Sequence, residues 1–439
     1  MEALFHVTAL SNFARAYDKY ARSYDKARIP ESTYPGRFFL LSRDELAIGV
    51  AKAGHLPGRT GLAGDRLIAL ETRAAAEELR PNLRTGRGRY VERGDVRVEA
   101  VHFIDAAATL VATSVEEVYA RSLALVSAGL PGFAALRPRS VSVLPVARAC
   151  PARCPFCFSR ASVSADVVMA AIDWGRVDEV LAAARDAGAE RAVITGGGEP
   201  TLLRAAELER LVGACARRFA KVVLISNGFA WREAASRMTR LRALADAGLA
   251  VLALSRHHED DAVHAARMGL ETDSAATAAA WRTLPGRRLR LVCVLQRGGV
   301  EDAAGLARYL DWAVATGADE VCFKELYVAS SVESEYHDRE ANAWSAGHQV
   351  SLRLVLDAAA AYGWTAAERL PWGAPVYDLV WRGRPLRVAA YTEPSVLWER
   401  SHGVCRSWNL MADGRCLASL EDRRSEVLTR GLPGLSIVP

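Results

Sequence analysis

VSVLPVARACPARCPFC, residues 141–157, joins an apolar run to three cysteines, and its two halves decide how the chain is read. Val141–Val146 reads as a buried β-strand. Cys150, Cys154 and Cys157 follow it in a C-x3-C-x2-C array. Pro151, Arg153 and Pro155 between them argue against a core helix or strand and for a loop. Cysteine thiolates closely spaced on a loop hold iron–sulfur clusters. Three thiolates on a four-iron cube leave one iron without a protein ligand, open to a substrate or cofactor. A structural zinc site would need four closed ligands, yet no fourth Cys or His lies within a few residues of Cys157. The next histidines, His257 and His258, stand about a hundred residues further on.

Outward from this stretch, strand and helix patterns alternate. Apolar runs at 141–146, 192–197, 222–227, 251–256, 289–296 and 320–327 read as parallel strands. Amphipathic stretches at 177–188, 208–219, 238–248, 277–284, 306–317 and 348–363 read as the intervening helices, several ending in Gly. Strands covered on both faces appear as continuous apolar runs. Six such units predict an α/β fold, a partial (β/α)6 TIM-type barrel over residues 136–363, with its chemistry at the C-terminal strand ends. Residues 1–135 break the pattern and read as a separate α+β domain. It has a strand at 38–41, a helix from Asp44 and a hairpin around 90–104. Residues 364–439 carry strand–turn–strand signals and read as a small β-rich C-terminal extension.

The second strand ends in Thr195-Gly196-Gly197-Gly198-Glu199-Pro200. Glycines at a strand end let a ligand approach the backbone. Together the cysteine array and this turn resemble the signature of the radical S-adenosylmethionine (radical SAM) superfamily. The resemblance implies a 4Fe-4S cluster on Cys150, Cys154 and Cys157. It further implies that Gly197, Gly198 and Glu199 hold the methionine amino group of SAM, and that Phe156 lies beside the adenine. Ser226 and Asn227 end the third strand and resemble a T-N-G element of relatives. Ser255 and Arg256 end the fourth, where relatives contact the ribose and the methionine carboxylate. Ordinary turn chemistry is the alternative for Ser226, Asn227 and Arg256. The implied reaction is reductive cleavage of SAM to a 5′-deoxyadenosyl radical, which removes hydrogen from an unactivated C–H bond. It needs an electron donor such as flavodoxin or ferredoxin.

Substrate-side candidates follow from strand position. His257 and His258 come directly after Arg256, so at least one should point into the cavity. Lys324, Glu325 and Tyr327 end the sixth strand, where alternation forbids Lys324 and Glu325 from both facing inward. Only five of the 56 basic residues are lysine, which suggests a role for Lys324 that Arg cannot fill; an ion-paired Lys is the alternative. Cys293 and Cys322 read as core residues and Cys215 as helix packing. Cys405 and Cys416 resemble half of a twitch or SPASM extension, whose auxiliary clusters need more cysteines than this tail holds. Arg80, Arg84, Arg87, Arg89 and Arg93 gather around a turn that could meet phosphate or carboxylate, or form a solvated loop.

Composition bounds the function. A net charge of +5 over 439 residues, with no basic–aromatic stripe, argues against a nucleic-acid partner. Eight cysteines are too few for a disulfide-stapled secreted domain. No signal peptide or membrane span is read, so a cytoplasmic enzyme is expected. The expected function is tailoring of a small polar molecule, such as a sugar, amino acid or aminoglycoside, in natural-product biosynthesis. Epimerisation, dehydration and lyase-type reactions are the candidate outcomes. Peptide maturation is the alternative reading and RNA modification a third; a zinc-binding module would require the Gly-Gly-Glu-Pro turn to be coincidence.

Overall fold

The computed structural model describes residues 131–147, 149–157, 171–326, 339–394, 399–400, 402–420 and 422–429, plus three short N-terminal strands. The chain divides into residues 1–130 and 131–439. In the first unit, β1 (Leu67–Ala69), β2 (His102–Ile104) and β3 (Leu110–Ala112) form an antiparallel sheet in sequence order. The expected hairpin around 90–104 contributes only its last residues to β2. The rest of that hairpin, the strand at 38–41, the helix from Asp44 and the five-arginine turn lie outside the described residues.

The second unit is built on one sheet. After β4 (Arg137–Pro138), the strands β5 (Ser140–Val143), β6 (Arg191–Ile194), β7 (Lys221–Ser226), β8 (Val251–Ser255), β9 (Arg288–Leu295) and β10 (Glu320–Glu325) pair side by side in parallel. The helices α1 (Trp174–Asp186), α2 (Ala205–Ala216), α3 (Ala234–Asp246), α4 (Asp261–Met268), α5 (Ser274–Arg282) and α6 (Ala303–Ala315) connect them. These six strands are the ones the apolar runs predict; α4 is an addition. After β10 come α7 (Arg339–His348) and α8 (Arg353–Ala361).

The tail does not stand apart from this sheet. It supplies β11 (Ala366–Arg369), β12 (Pro375–Trp381), β13 (Arg384–Tyr391), β14 (Val404–Cys405), β15 (Trp408–Leu410) and β16 (Cys416–Leu417). β13 pairs in parallel with β10, and β15 pairs in parallel with β5 at the opposite edge. The order is therefore β11-β12-β13-β10-β9-β8-β7-β6-β5-β15-β16, and the sheet does not close. The eight central strands, β13 to β15, are parallel to one another, while β12 and β16 flank them antiparallel. Both expected strand–turn–strand units form, β12 with β13 and β15 with β16, but β13 and β15 also pair in parallel with the central strands, so the expected boundary at 364 does not interrupt the sheet.

Strand β9 shows how the two faces differ. Leu289, Leu291, Cys293 and Leu295 are fully buried, whereas Val292 and Val294 between them are partly exposed. The buried row meets the helices: the Trp281 indole of α5 donates to the Arg288 carbonyl at 2.9 Å. Each such leucine contributes about 1.5–3 kcal/mol of burial. Aspartates start four of the six connecting helices, with Asp173, Asp260, Asp273 and Asp302 each accepting from a backbone N–H in the first turn. Gly248 ends α3 at φ +106°, and a Cβ there would lie 2.5 Å from the Ala216 side chain, so both backbone and space demand glycine.

Candidate functional site

Two loops meet at the C-terminal ends of β5 and β6. Added Cβ atoms on Gly198 would fall 2.1 and 2.3 Å from the Ala149 and Ala147 carbonyl oxygens, so only glycine lets the turn lie against the cysteine loop. The Glu199 amide donates to the Ala149 carbonyl at 2.8 Å, which fixes the two motifs back to back. Cys150, Cys154 and Cys157 form no disulfide and are exposed or partly exposed, unlike the buried Cys215, Cys293, Cys405 and Cys416. The loop is anchored from outside as well. Arg153 N–H donates to the Met268 carbonyl at 2.7 Å, at the end of α4, and Phe156 packs edge-on to His257 at 5.1 Å.

Glu199 is 3% exposed, and its carboxylate is consumed by the protein itself. Oε1 accepts from Thr201 N–H (3.0 Å), Thr201 Oγ1 (2.6 Å) and Ser226 Oγ (2.7 Å); Oε2 accepts from Asn227 N–H (2.9 Å). Burial pushes its pKa up, and these donors pull it back. The resemblance gives Glu199 to the methionine amino group, but the structure uses its side chain to join the ends of β6 and β7. Asn227 extends that join, with Nδ2 donating to Cys150 Sγ at 3.5 Å and Oδ1 accepting from Phe229 N–H at 2.9 Å. Ser226 and Asn227 are thus buried connectors rather than free turn residues. Gly197 is buried in the turn, and Ser255 is partly exposed at the end of β8.

Arg256 is placed differently from its expected role. It is fully buried, with its guanidinium 4.5 Å over the Trp312 ring of α6. Nε donates to the His258 carbonyl (2.6 Å), and Nη2 donates to the Glu259 carbonyl (2.7 Å) and pairs with Asp261 (2.6 Å). The side chain is engaged on the helix side of the sheet, away from a strand-end carboxylate site. His257 is 4% exposed; its Nδ1 accepts from Val294 N–H, and burial lowers its pKa to about 3. His258 is half-buried, with Nδ1 accepting from Asp260 N–H at 3.0 Å. Of this pair, it is His257 that reaches the cysteine loop.

At β10, alternation sorts the predicted pair. Phe323 packs on Tyr309 of α6 at 5.5 Å, so Cys322 and Lys324 lie on the opposite, inner face. Lys324 Nζ donates to Glu393 Oε1 at 3.1 Å and sits 5.0 Å from the Tyr391 ring centre. Glu325 faces the other way, accepting from Thr392 Oγ1 at 3.4 Å. Tyr327 lies outside the described residues. Glu393 also pairs with Arg406 and accepts from Tyr391 Oη at 3.1 Å. Sequence reasoning missed Tyr391, Glu393 and Arg406 because it assigned them to a separate tail. An ionisable residue just past the strand-like run RPLRVAAY was the available signal. Cys405 and Cys416 are fully buried in β14 and β16; burial raises both thiols, Cys416 to about 12.

Among the described residues, no group of three or more His, Cys, Asp or Glu converges as ligands of a single ion. Three thiols outside any disulfide, spread along one short loop, instead suit a cube, whose irons are bound separately. Asn227 already directs an N–H toward one of these sulfurs, the kind of donor that tunes a cluster. The donor set fits the implied group.

The radical SAM superfamily pattern matches residues 144–284. A search of curated proteins finds no match. Among solved structures, Streptococcus suis SuiB is similar at 16% identity and TM-score 0.43, over 69% of this chain; this chain spans 64% of that one's length. SuiB bound to S-adenosylmethionine gives 16% and 0.43 over 79% of this chain and 72% of that one. Coproporphyrinogen III oxidase (HemN) from Escherichia coli gives 14% and 0.35 over 53% and 54%. No helix among the described residues is long and apolar enough to cross a membrane.

Proposed function

Since residues 144–284 form a radical SAM domain, whose family uses a 4Fe-4S cluster and S-adenosylmethionine, we propose that this chain is a cytoplasmic tailoring enzyme for a small polar substrate. It would act in natural-product biosynthesis and take its electron from a flavodoxin or ferredoxin. The observation that carries the reading is the joint between the cysteine loop and the Gly-Gly-Glu-Pro turn, made by Ala149, Gly198 and Glu199 at the C-terminal strand ends.

Cys150, Cys154 and Cys157 would hold the cluster. The Gly197–Gly198 backbone, Ser255 and Phe156 would line the SAM site. When bound, the two cofactors supply a 5′-deoxyadenosyl radical able to take hydrogen from an unactivated C–H bond. The chain's own residues do the rest. Glu199 and Asn227 hold the two loops at a fixed separation. Phe156 and His257 exclude water beneath the cysteine loop. Lys324 presents an ammonium from the inner face of β10, held by Glu393, where it can orient a polar substrate or pass it a proton.

Anaerobic reconstitution followed by iron assay and dithionite-driven SAM cleavage tests this. The wild type should bind roughly four irons per chain and release 5′-deoxyadenosine. Cys154→Ala should lose both properties. A Cys154→Ala protein that still cleaved SAM would overturn the assignment, and roughly eight irons would overturn the single-cluster reading.

A further inference from the structure

Cations outnumber carboxylates on the inner face of the central sheet. Val193, Val223, Ile225, Val251, Ala253 and Val292 pack together and define that face. Alternation and register place the charged residues on it. Arg191 is two positions before Val193 and pairs in register with Lys221 of β7. Arg288 pairs with Val251, and Arg290 with both Ala253 and Glu320. Lys324 pairs with Tyr391 in β13, and Arg406 reaches the same spot through Glu393.

Among the described residues, Glu320 and Glu393 are the carboxylates that ion-pair within this group of six, and Glu190 also acts on Arg191. Glu320 is taken by Arg288 and Arg290, the former at 3.1 Å. Glu393 is shared by Lys324 and Arg406. Arg387, also on this face, is matched by Glu368 and Asp378 on the neighbouring strands. Arg191 and Lys221 make no ion pair with any described carboxylate, although they lie directly across from each other. Like charges in that arrangement repel. Burial and the surrounding guanidinium groups hold both below their ordinary pKa values.

We propose that the inner face of the sheet binds an anionic group, a carboxylate or phosphate carried by the substrate, between Arg191 and the Lys324–Glu393–Arg406 cluster. The inference rests on the reading of this site as the substrate side of a radical SAM enzyme. Within the candidate substrates it favours acidic or phosphorylated ones and disfavours polycations such as aminoglycosides. Arg191 lies at the start of β6 and Lys324 near the end of β10, so the cationic strip runs along the sheet rather than gathering at the cofactor end.

The test uses the full chain with its cluster reconstituted and four sugars of one ring size as probes, at fixed ionic strength. Glucuronate and glucose 6-phosphate should raise the melting temperature, while glucose and glucosamine should not. A shift with only one of the two anions identifies the group as carboxylate or phosphate. Arg191→Gln should weaken binding of the anionic probe on the order of tenfold, the loss of one charge-assisted contact. Glu393→Gln, which releases Lys324 and Arg406, should tighten it. SAM binding and dithionite-driven SAM cleavage should be unchanged in Arg191→Gln. These last readouts keep the two hypotheses separate, because the wild-type enzyme can cleave SAM and still fail the charge test. Glucosamine binding as well as the anions, no preference for anions over glucose, or loss of SAM binding in Arg191→Gln would each overturn the proposal.

Discussion

His257 and His264 meet beneath the cysteine loop, the His257 amide donating to His264 Nδ1 at 3.2 Å. Burial lowers His257 to about 3 and His264 to about 2, against an ordinary value near 6.5. The unfolded chain therefore takes up two protons below about pH 6.5 that the native protein refuses. Stability from this pair is complete above that pH and drains away as pH falls toward 3, by up to about 1.4 kcal/mol per unit for each ring. Urea midpoints at pH 7.5 and 5.5 should differ by more in the wild type than in a His264→Gln variant; equal differences would contradict the assignment. The sequence gives no sign of this. It marks His257 and His258 as cavity candidates, but their neighbours arrive from Val294, Phe156 and α4, far away along the chain. Arg256 is similar: Trp312 claims its guanidinium from a helix 56 residues on.

At the level of elements, Glu199 acts as a staple between β6 and β7. Four donors from Thr201, Ser226 and Asn227 converge on it. Glu199→Ala leaves those groups buried without an acceptor and should cost about 2–4 kcal/mol. Chemical denaturation checks the magnitude. A change below about 0.5 kcal/mol, as at an ordinary surface position, would mean the staple is dispensable. The six central strands and the connecting helices between them were legible in sequence because each carries its own periodicity, and Gly188, Gly248 and Gly317 stand just beyond α1, α3 and α6. The Gly-Gly-Glu-Pro turn was legible as a motif. Its inward use of the carboxylate was not, since the partners belong to another strand.

On the scale of the whole molecule, the tail completes the sheet at both edges. Ser142 Oγ and Ser407 Oγ are 2.8 Å apart, and Ser140 Oγ donates to the Arg406 carbonyl at 2.9 Å, across separations of 265 and 266 residues. Pairings of that range leave no local trace, which is why composition alone marked residues 364–439 as a separate extension. A chain ending at residue 383 would strip β13 from β10 and β15 from β5, exposing Val388, Ala390, Trp408 and Leu410 partners that are now buried. It should lose cooperative urea unfolding and near-UV circular dichroism; a sharp transition at the full-length midpoint would refute this. The same feature sets an order of events during synthesis. A ribosome releases β5 and β10 long before β13 and β15, so both strands wait with open hydrogen-bonding edges, the state most prone to aggregation. Contacts so distant in sequence also form slowly. An interrupted polypeptide would thus present an unfinished sheet, its two edges open until translation has passed Tyr391 and Leu410.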